Sequence, residues 1–213
     1  MIMAFLAGLA VAAGLSGDAF AQGGRPLTIV VLGDSLAAGY GLSRAAAFPE
    51  TLERALRARG HDVRMVNAGV SGDTSTGGLE RLDWSVPEGT DGVIVELGAN
   101  DMLRGVDPAV TRQALEAIVK RLKARGIPVM LAGMRASRNL GPAYTEQFDA
   151  IYRDLAAKYG LVLYPFFLEG VAGDRALNLP DGIHPTAGGV ERIVESILPS
   201  VEGFVRRLKA RVG

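Results

Sequence analysis

The stretch Thr28-Ile29-Val30-Val31-Leu32-Gly33-Asp34-Ser35-Leu36 decides the fold that we expect for this chain. A short apolar run that stops at a glycine is typical of a buried strand followed by a tight turn. Ser35 then stands just past the carboxyl end of the strand, where open α/β sheets build their functional sites. The serine is therefore a candidate nucleophile, and the alternative is an N-cap for the next helix.

Strand and helix patterns alternate along the rest of the chain. Strands are predicted at Leu27–Leu32, Val63–Val66, Gly92–Leu97, Ile127–Ala132 and Leu161–Tyr164. Helices are predicted at Pro49–Arg59, Pro108–Arg125, Pro142–Tyr159 and Thr186–Arg211, the last with a kink near Pro199. Apolar strands between amphipathic helices indicate a parallel sheet that is covered on both faces. We expect one three-layer α/β/α sandwich with five strands in the flavodoxin-like order 2-1-3-4-5.

Composition excludes several functional classes. The 213 residues carry 23 basic and 23 acidic side chains, so the zero net charge gives no indication of a nucleic-acid partner. The absence of cysteine excludes disulfides, thiol catalysis and zinc–thiolate sites.

The N-terminus has the pattern of a targeting segment. Ile2 to Leu15 is apolar or small throughout, and Ala19-Phe20-Ala21 forms a small-x-small cleavage site before Gln22. This pattern predicts a signal peptide over residues 1–21, a mature domain over 22–213 without a stable membrane span, and a periplasmic or secreted location. No Lys or Arg precedes the apolar run, so an upstream start, a weak signal or an uncleaved anchor are the alternatives.

The sequence offers two histidines as a base for Ser35. His61 lies in a polar run at a helix exit and is expected to be a solvated loop residue. His184 follows Asp181 by three positions, so the two side chains can share one face of a turn. A carboxylate on one imidazole nitrogen fixes the tautomer and leaves the other nitrogen free to accept a proton from the serine. We therefore expect Asp181 and His184 to act with Ser35, the alternative being a turn residue and a surface histidine.

Two loops at strand ends can stabilise an oxyanion. Gly72 exposes a backbone N–H group, and Asn100 in Gly98-Ala99-Asn100-Asp101 offers a side-chain amide. Ordinary turns are the alternative interpretation of both loops. In the predicted strand order, the loops that carry Ser35 and Asn100 are neighbours.

These blocks together resemble the GDSL/SGNH hydrolase family. Gly33-Asp34-Ser35-Leu36, Gly72, Gly98-Ala99-Asn100-Asp101 and Asp181-x-x-His184 match its four blocks in order. The longer strings Gly33–Leu42 and Asn100–Gly105 resemble the subgroup of thioesterase I/lysophospholipase L1 and related arylesterases. Members of this subgroup frequently have Gly-Gly-Asn-Asp-Gly at the third block, and Ala99 and Met102 depart from it. Because of Met102, the sequence does not predict which acyl-chain length the protein prefers.

The resemblance implies Ser35 as nucleophile, His184 as base and Asp181 as the residue that orients it. It implies an oxyanion hole made of the Ser35 and Gly72 N–H groups and the Asn100 side chain. We expect a serine esterase, arylesterase-like and selective for short to medium acyl chains, that needs neither metal nor cofactor. Its partner is a small-molecule ester or thioester, bordered by Met102, Leu103 and Met134.

Three alternatives are open. One is an acyl thioesterase or lysophospholipase with long-chain preference, and another is a carbohydrate deacetylase that uses the same machinery. The third is a non-catalytic flavodoxin-like module that uses the Gly33–Gly41 turn as a phosphate cradle. This module has no use for Asp181 and His184.

Overall fold

Five parallel strands form the centre of the structure, a computed structural model that describes residues 25–212. Their order in the sheet is β2-β1-β3-β4-β5, which confirms the predicted topology. The strands are β1 (Leu27–Gly33), β2 (Val63–Gly69), β3 (Gly92–Glu96), β4 (Val129–Ala132) and β5 (Val162–Tyr164).

Helices cover the sheet, as the sequence predicts. They are α1 (Ser35–Ala38), α2 (Phe48–Ala58), α3 (Ser75–Glu80), α4 (Leu82–Ser85), α5 (Ala99–Leu103), α6 (Pro108–Ala124), α7 (Pro142–Tyr159) and α8 (Ala187–Val212). Helix α2 packs against α8, while α6 packs against α3 and α7. The predicted three-layer sandwich is therefore confirmed, with a buried apolar core on each side of the sheet.

The strand register brings the functional loops together. Gly33, the last residue of β1, pairs with Gly69 of β2 on one side and with Glu96 of β3 on the other. Because all three strands are parallel, the loops that follow them leave the same edge of the sheet. Ser35, Gly72 and Asn100 lie in or directly after these loops.

Strand β2 is three residues longer than predicted. Asn67 to Gly69 are poor strand formers, yet they pair in register with Val31 to Gly33 of β1. The ladder to a central strand outweighs their weak strand propensity. Strand β4 begins at Val129 instead of Ile127, because the Ile127 N–H donates to the Leu122 carbonyl at the end of α6.

The remaining boundaries differ by one residue at most, apart from the short helices that the sequence did not reveal. Helix α8 begins after Thr186, whose hydroxyl accepts a hydrogen bond from the Gly189 N–H as a cap would. It is a single helix across Pro199. The predicted signal peptide lies outside the described residues. Within residues 25–212, none of the helices is long and apolar enough to cross a membrane.

Candidate active site

Ser35 is the first residue of α1 and follows the central strand β1 after a single intervening residue. The cap of this helix is Asp34, whose side chain accepts a hydrogen bond from the Leu36 N–H at 3.0 Å. The alternative that Ser35 is the N-cap is therefore wrong. Its hydroxyl is free for another partner, and 8% of the residue is exposed.

His184 supplies that partner. Its Nε2 atom lies 2.9 Å from the Ser35 Oγ atom, and its Nδ1 atom lies 2.7 Å from Asp181 Oδ2. The other carboxylate oxygen, Asp181 Oδ1, accepts the N–H groups of Ile183 and His184 at 2.9 and 3.0 Å. The structure therefore brings the three predicted residues into one hydrogen-bonded chain.

Asp181 is ionised throughout the pH range in which a folded protein works. The backbone N–H of His184, then its ring, then the N–H of Ile183 lower the pKa of this carboxyl to about 2. A permanent carboxylate at Nδ1 selects the tautomer with its proton on that nitrogen. The Nε2 lone pair then faces the serine hydroxyl.

Asn100 lies in the first turn of α5, beside the serine turn. Its Nδ2 atom donates to Asp34 Oδ2 and to the Asp73 carbonyl oxygen, each at 3.0 Å. The amide thus ties Asp34, the cap of the helix that begins with Ser35, to the loop that follows β2. Each of its two amide protons therefore has an acceptor.

Gly72 lies in the loop that follows β2 and has a positive φ of 85°. Its carbonyl accepts a 2.7 Å hydrogen bond from the Arg104 guanidinium, while its N–H donates to no acceptor in residues 25–212. Within the same range, the Ser35 N–H is also without an acceptor. Two backbone donors are thus available at this edge of the sheet.

Two buried contacts that the sequence did not reveal fix the loops around Gly72. Arg81 is 6% exposed and binds Asp73 as well as the carbonyl oxygens of Ala68 and Gly33. Asp101 accepts both the N–H and the hydroxyl of Ser75. Arg81 is the single residue between α3 and α4, and no sequence pattern singled it out.

Two carboxyl groups are buried beneath the serine turn. Burial raises the pKa of Asp34 to about 6. Burial, with the neighbouring Asp34 carboxylate, raises the pKa of Glu96 well above its usual range. Glu96 Oε2 accepts the Asp34 N–H at 3.4 Å, whereas Glu96 Oε1 has no hydrogen-bond partner in residues 25–212.

A cavity of about 580 Å³ opens beside Ser35, Asn100 and His184. The predicted substrate-contacting residues Met102, Leu103 and Met134 all line it. Met134 is buried whereas Leu103 is exposed. The rest of the wall is mainly apolar and includes Leu36, Ala136, Phe166, Leu168 and Ile183.

His61 belongs to another part of the molecule. Its Nε2 atom lies 3.3 Å from Glu202 of α8, and its side chain is 15% exposed. The expectation of a solvated loop histidine is therefore wrong, because α8 covers the ring. In residues 25–212 no group of three or more His, Cys, Asp or Glu side chains is placed to hold a metal ion.

Residues 31–192 match the model of the GDSL-like lipase/acylhydrolase family. The chain belongs to this family. It is 40% identical to esterase TesA of Pseudomonas aeruginosa, over 82% of this chain and 88% of that protein. It is 42% identical to thioesterase 1/protease 1/lysophospholipase L1 of Escherichia coli K12, over 74% and 75% respectively. The crystal structure of AlinE4, an SGNH-hydrolase family esterase, is similar with a TM-score of 0.72, 48% identity and coverage of 84% and 97%.

These findings confirm the predicted family and fold. As a member of this family, the chain is a carboxylic ester hydrolase of the serine type, which confirms the predicted enzyme class.

Proposed function

We propose that this protein is a serine esterase that hydrolyses small-molecule carboxylic esters of short to medium acyl chain length through an acyl-enzyme on Ser35. The observation that carries the proposal is the hydrogen-bonded chain Asp181–His184–Ser35 at the wall of an apolar cavity. A serine becomes a nucleophile when a base accepts its proton and a third group orients that base.

The reaction begins with attack of Ser35 Oγ on the carbonyl carbon of the ester while His184 Nε2 takes the hydroxyl proton. Asp181 orients the ring and stabilises its positive charge. The imidazolium then protonates the leaving alcohol. A water molecule, deprotonated by the same histidine, releases the acid from Ser35.

The oxyanion of the tetrahedral intermediate binds to the Ser35 N–H, the Gly72 N–H and the Asn100 amide. The two backbone donors lack acceptors in residues 25–212, so they are free to bind it. One proton of Asn100 turns from the neutral Asp73 carbonyl to the charged oxygen, which is the stronger acceptor. The bond to Asp34 keeps the amide aimed during this exchange.

The acyl or leaving group occupies the cavity bordered by Met102, Leu103 and Met134. Apolar and flexible side chains there favour hydrophobic substrates of several shapes. The wall is mainly apolar, with Arg135, Ser137 and Asn178 among its polar members, so it offers few of the polar partners that a carbohydrate substrate of a deacetylase would need.

Within the Gly33–Gly41 turn the Asp34 carboxylate accepts the Leu36 N–H, and its negative charge at this place is unfavourable for a phosphate. This contact speaks against the non-catalytic binding module.

A second candidate is hydrolysis of long-chain acyl thioesters or lysophospholipids. It is favoured by the name of the relative from E. coli and by the continuation of the apolar wall to Phe166 and Leu168. The ester attack and the thioester attack use the same residues.

A substrate panel tests the proposal. Acetyl, butyryl, octanoyl and palmitoyl p-nitrophenyl esters are compared with the matching acyl-CoA thioesters and with a lysophosphatidylcholine. We expect the largest kcat/KM among the butyryl and octanoyl esters, and no turnover by Ser35→Ala. A maximum at palmitoyl thioester or at the lysophospholipid would favour the second candidate, and turnover by Ser35→Ala would overturn both.

The apolar run and Ala19-Phe20-Ala21 support a signal peptide over residues 1–21, a mature domain over 22–213 and a periplasmic or secreted location. Fractionation of the producing cell and N-terminal sequencing of the mature protein test this proposal. A first residue of Gln22 is expected, and retention of Met1 in the cytoplasm would contradict it.

A further inference from the structure

The ring of Tyr40 covers one face of the His184 imidazole. The two ring centroids are 4.3 Å apart and the planes are inclined by 32°. Asp181 and Ser35 bind the nitrogen edges of the imidazole, so its faces are held by packing alone. Tyr40 supplies packing on one of these faces.

The backbone fixes Tyr40 to the helix of the nucleophile. The N–H groups of Gly39 and Tyr40 both donate to the Ser35 carbonyl at 3.1 Å. Gly39 has a positive φ of 80°, and a Cβ atom there would lie 2.6 Å from Ala47 Cβ. A side chain at position 39 would therefore push the Tyr40 segment away from Ser35.

The next residue, Gly41, allows the same segment to pack closely against the loop that carries His184. A Cβ atom on Gly41 would lie 2.8 Å from Leu179 Cδ1. The Leu179 N–H donates to the His184 carbonyl at 2.7 Å. Tyr40 is thus held between the helix that carries the nucleophile and the loop that carries the base.

The aromatic ring of Tyr40, and not its hydroxyl, makes the contact. The hydroxyl forms no hydrogen bond within residues 25–212, and 52% of the residue is exposed. Tyr40 is also not part of the cavity wall, whereas His184 is. The ring therefore acts on the histidine and not on the substrate.

The contact gains importance when His184 is charged. A cation within about 6 Å of an aromatic ring face is attracted by the quadrupole of the ring. During the reaction His184 becomes a cation when it takes the Ser35 proton, so the attraction is stronger in the transition state than with a neutral ring. Asp181 at the Nδ1 edge and the Asp34 carboxylate are the acidic groups that act on the same charge.

We infer that Tyr40 is a positioning residue whose aromatic face fixes the plane of the His184 imidazole and stabilises the imidazolium formed during acylation. This inference rests on the proposed function. The ring is the active part, so phenylalanine should replace tyrosine, whereas an aliphatic side chain of similar size should not.

Three variants, Tyr40→Phe, Tyr40→Leu and Tyr40→Ala, test the inference with p-nitrophenyl butyrate. We expect Tyr40→Phe to stay within about twofold of the wild type. Tyr40→Leu and Tyr40→Ala should lose about 2- to 30-fold in kcat, the factor that corresponds to a cation–π interaction, with KM unchanged. The rate of fluorophosphonate labelling of Ser35 should fall by a similar factor, because it needs the same proton transfer.

The contrary outcomes are distinct. Full activity of Tyr40→Leu would overturn charge stabilisation, full activity of Tyr40→Ala would overturn any role, and loss in Tyr40→Phe would assign the effect to the hydroxyl. A change in KM alone would make Tyr40 a substrate contact.

Trp84→Ala, at an aromatic residue that is 74% exposed, is the matched control for surface substitution. Ser35→Ala is assayed in parallel, because its activity tests the proposed function independently of Tyr40.

Discussion

Ser35 Oγ and His184 Nε2 lie 2.9 Å apart although 149 positions separate the two residues in the chain. The parallel sheet closes this distance, because β1 ends at Gly33 and the histidine loop returns to the same edge before α8. A fluorophosphonate should therefore label the protein once, on Ser35. Peptide mapping by mass spectrometry locates the adduct.

An adduct on Ser71 or Ser75 would contradict the assignment of the nucleophile. Ser75 is a stringent internal comparison, since its hydroxyl is buried and bonded to Asp101 instead of to a histidine. Ser35→Ala should abolish labelling and turnover while keeping the melting temperature close to that of the wild type.

Asn100→Ala should lower kcat by about 10²–10³ with little change in KM, because the amide acts mainly on the charge that develops in the transition state. Steady-state kinetics on one ester give both constants. The variant also leaves Asp34 Oδ2 without its Asn100 partner, so circular dichroism must show an intact fold. A loss confined to KM would make Asn100 a ground-state binding residue.

The two histidines should respond differently to alanine substitution. His184→Ala should be inactive at every pH, because within residues 25–212 the Ser35 hydroxyl has no side-chain hydrogen-bond partner other than His184. His61→Ala should keep the activity and pH profile of the wild type and lose a little thermal stability, since His61 only links its loop to Glu202. The reverse pattern would invalidate the proposed base.

Met102→Ala should lower the ratio of octanoyl to acetyl ester hydrolysis, because Met102 lines the cavity and a filled apolar contact contributes about 1–3 kcal/mol. The acetyl rate should be nearly unchanged. Met130→Ala is the control: this methionine is fully buried in β4 and does not line the cavity. It should lower the melting temperature and leave the ratio intact. The same behaviour in Met102→Ala would limit Met102 to core packing.

Glu96→Gln should change how stability depends on pH. Burial and the Asp34 carboxylate raise the pKa of Glu96 above its ordinary value of 4.5, so the folded protein retains a proton that the unfolded chain loses. Wild-type stability therefore falls as the pH rises from about 4.5 through the raised pKa. A glutamine at this position has no such loss.

The melting temperature of Glu96→Gln relative to wild type should therefore increase as the pH rises above about 4.5, by about 2–4 °C for each kcal/mol of stability that the wild type loses. Glu195→Gln, at an exposed carboxylate of α8, serves as the control and should show a nearly constant difference. A constant difference in Glu96→Gln as well would mean that Glu96 does not titrate as its burial requires.

The elements with a regular apolar period were predictable from the sequence. Strand β1 and helices α6 and α7 each bury a regularly spaced set of apolar residues. Their observed boundaries agree with the predicted ones within one residue. Helices α3 and α5 escaped prediction because they are only six and five residues long and contain turn formers such as Gly77 and Asn100. Contacts such as Asp101 to Ser75 hold them, and no local propensity encodes such contacts.

In the candidate site, too, some residues could be predicted from the sequence and others could not. Ser35 could be found because it directly follows an apolar strand, His184 because the chain has only two histidines, and Asp181 because it precedes His184 by three positions. Tyr40 could not, since an aromatic residue between two glycines is compatible with an ordinary turn. The buried Glu96 was hidden because a single carboxylate at a strand end gives no sign of what covers it.

The chain order of the site has a consequence for synthesis. Ser35, the proposed nucleophile, lies near the beginning of the described fold. His184, the proposed base, is followed closely by α8, which packs on α2. A chain still on the ribosome exposes Ser35 long before His184 has emerged. If the proposed triad is right, the growing polypeptide has no activated serine until translation has passed position 184.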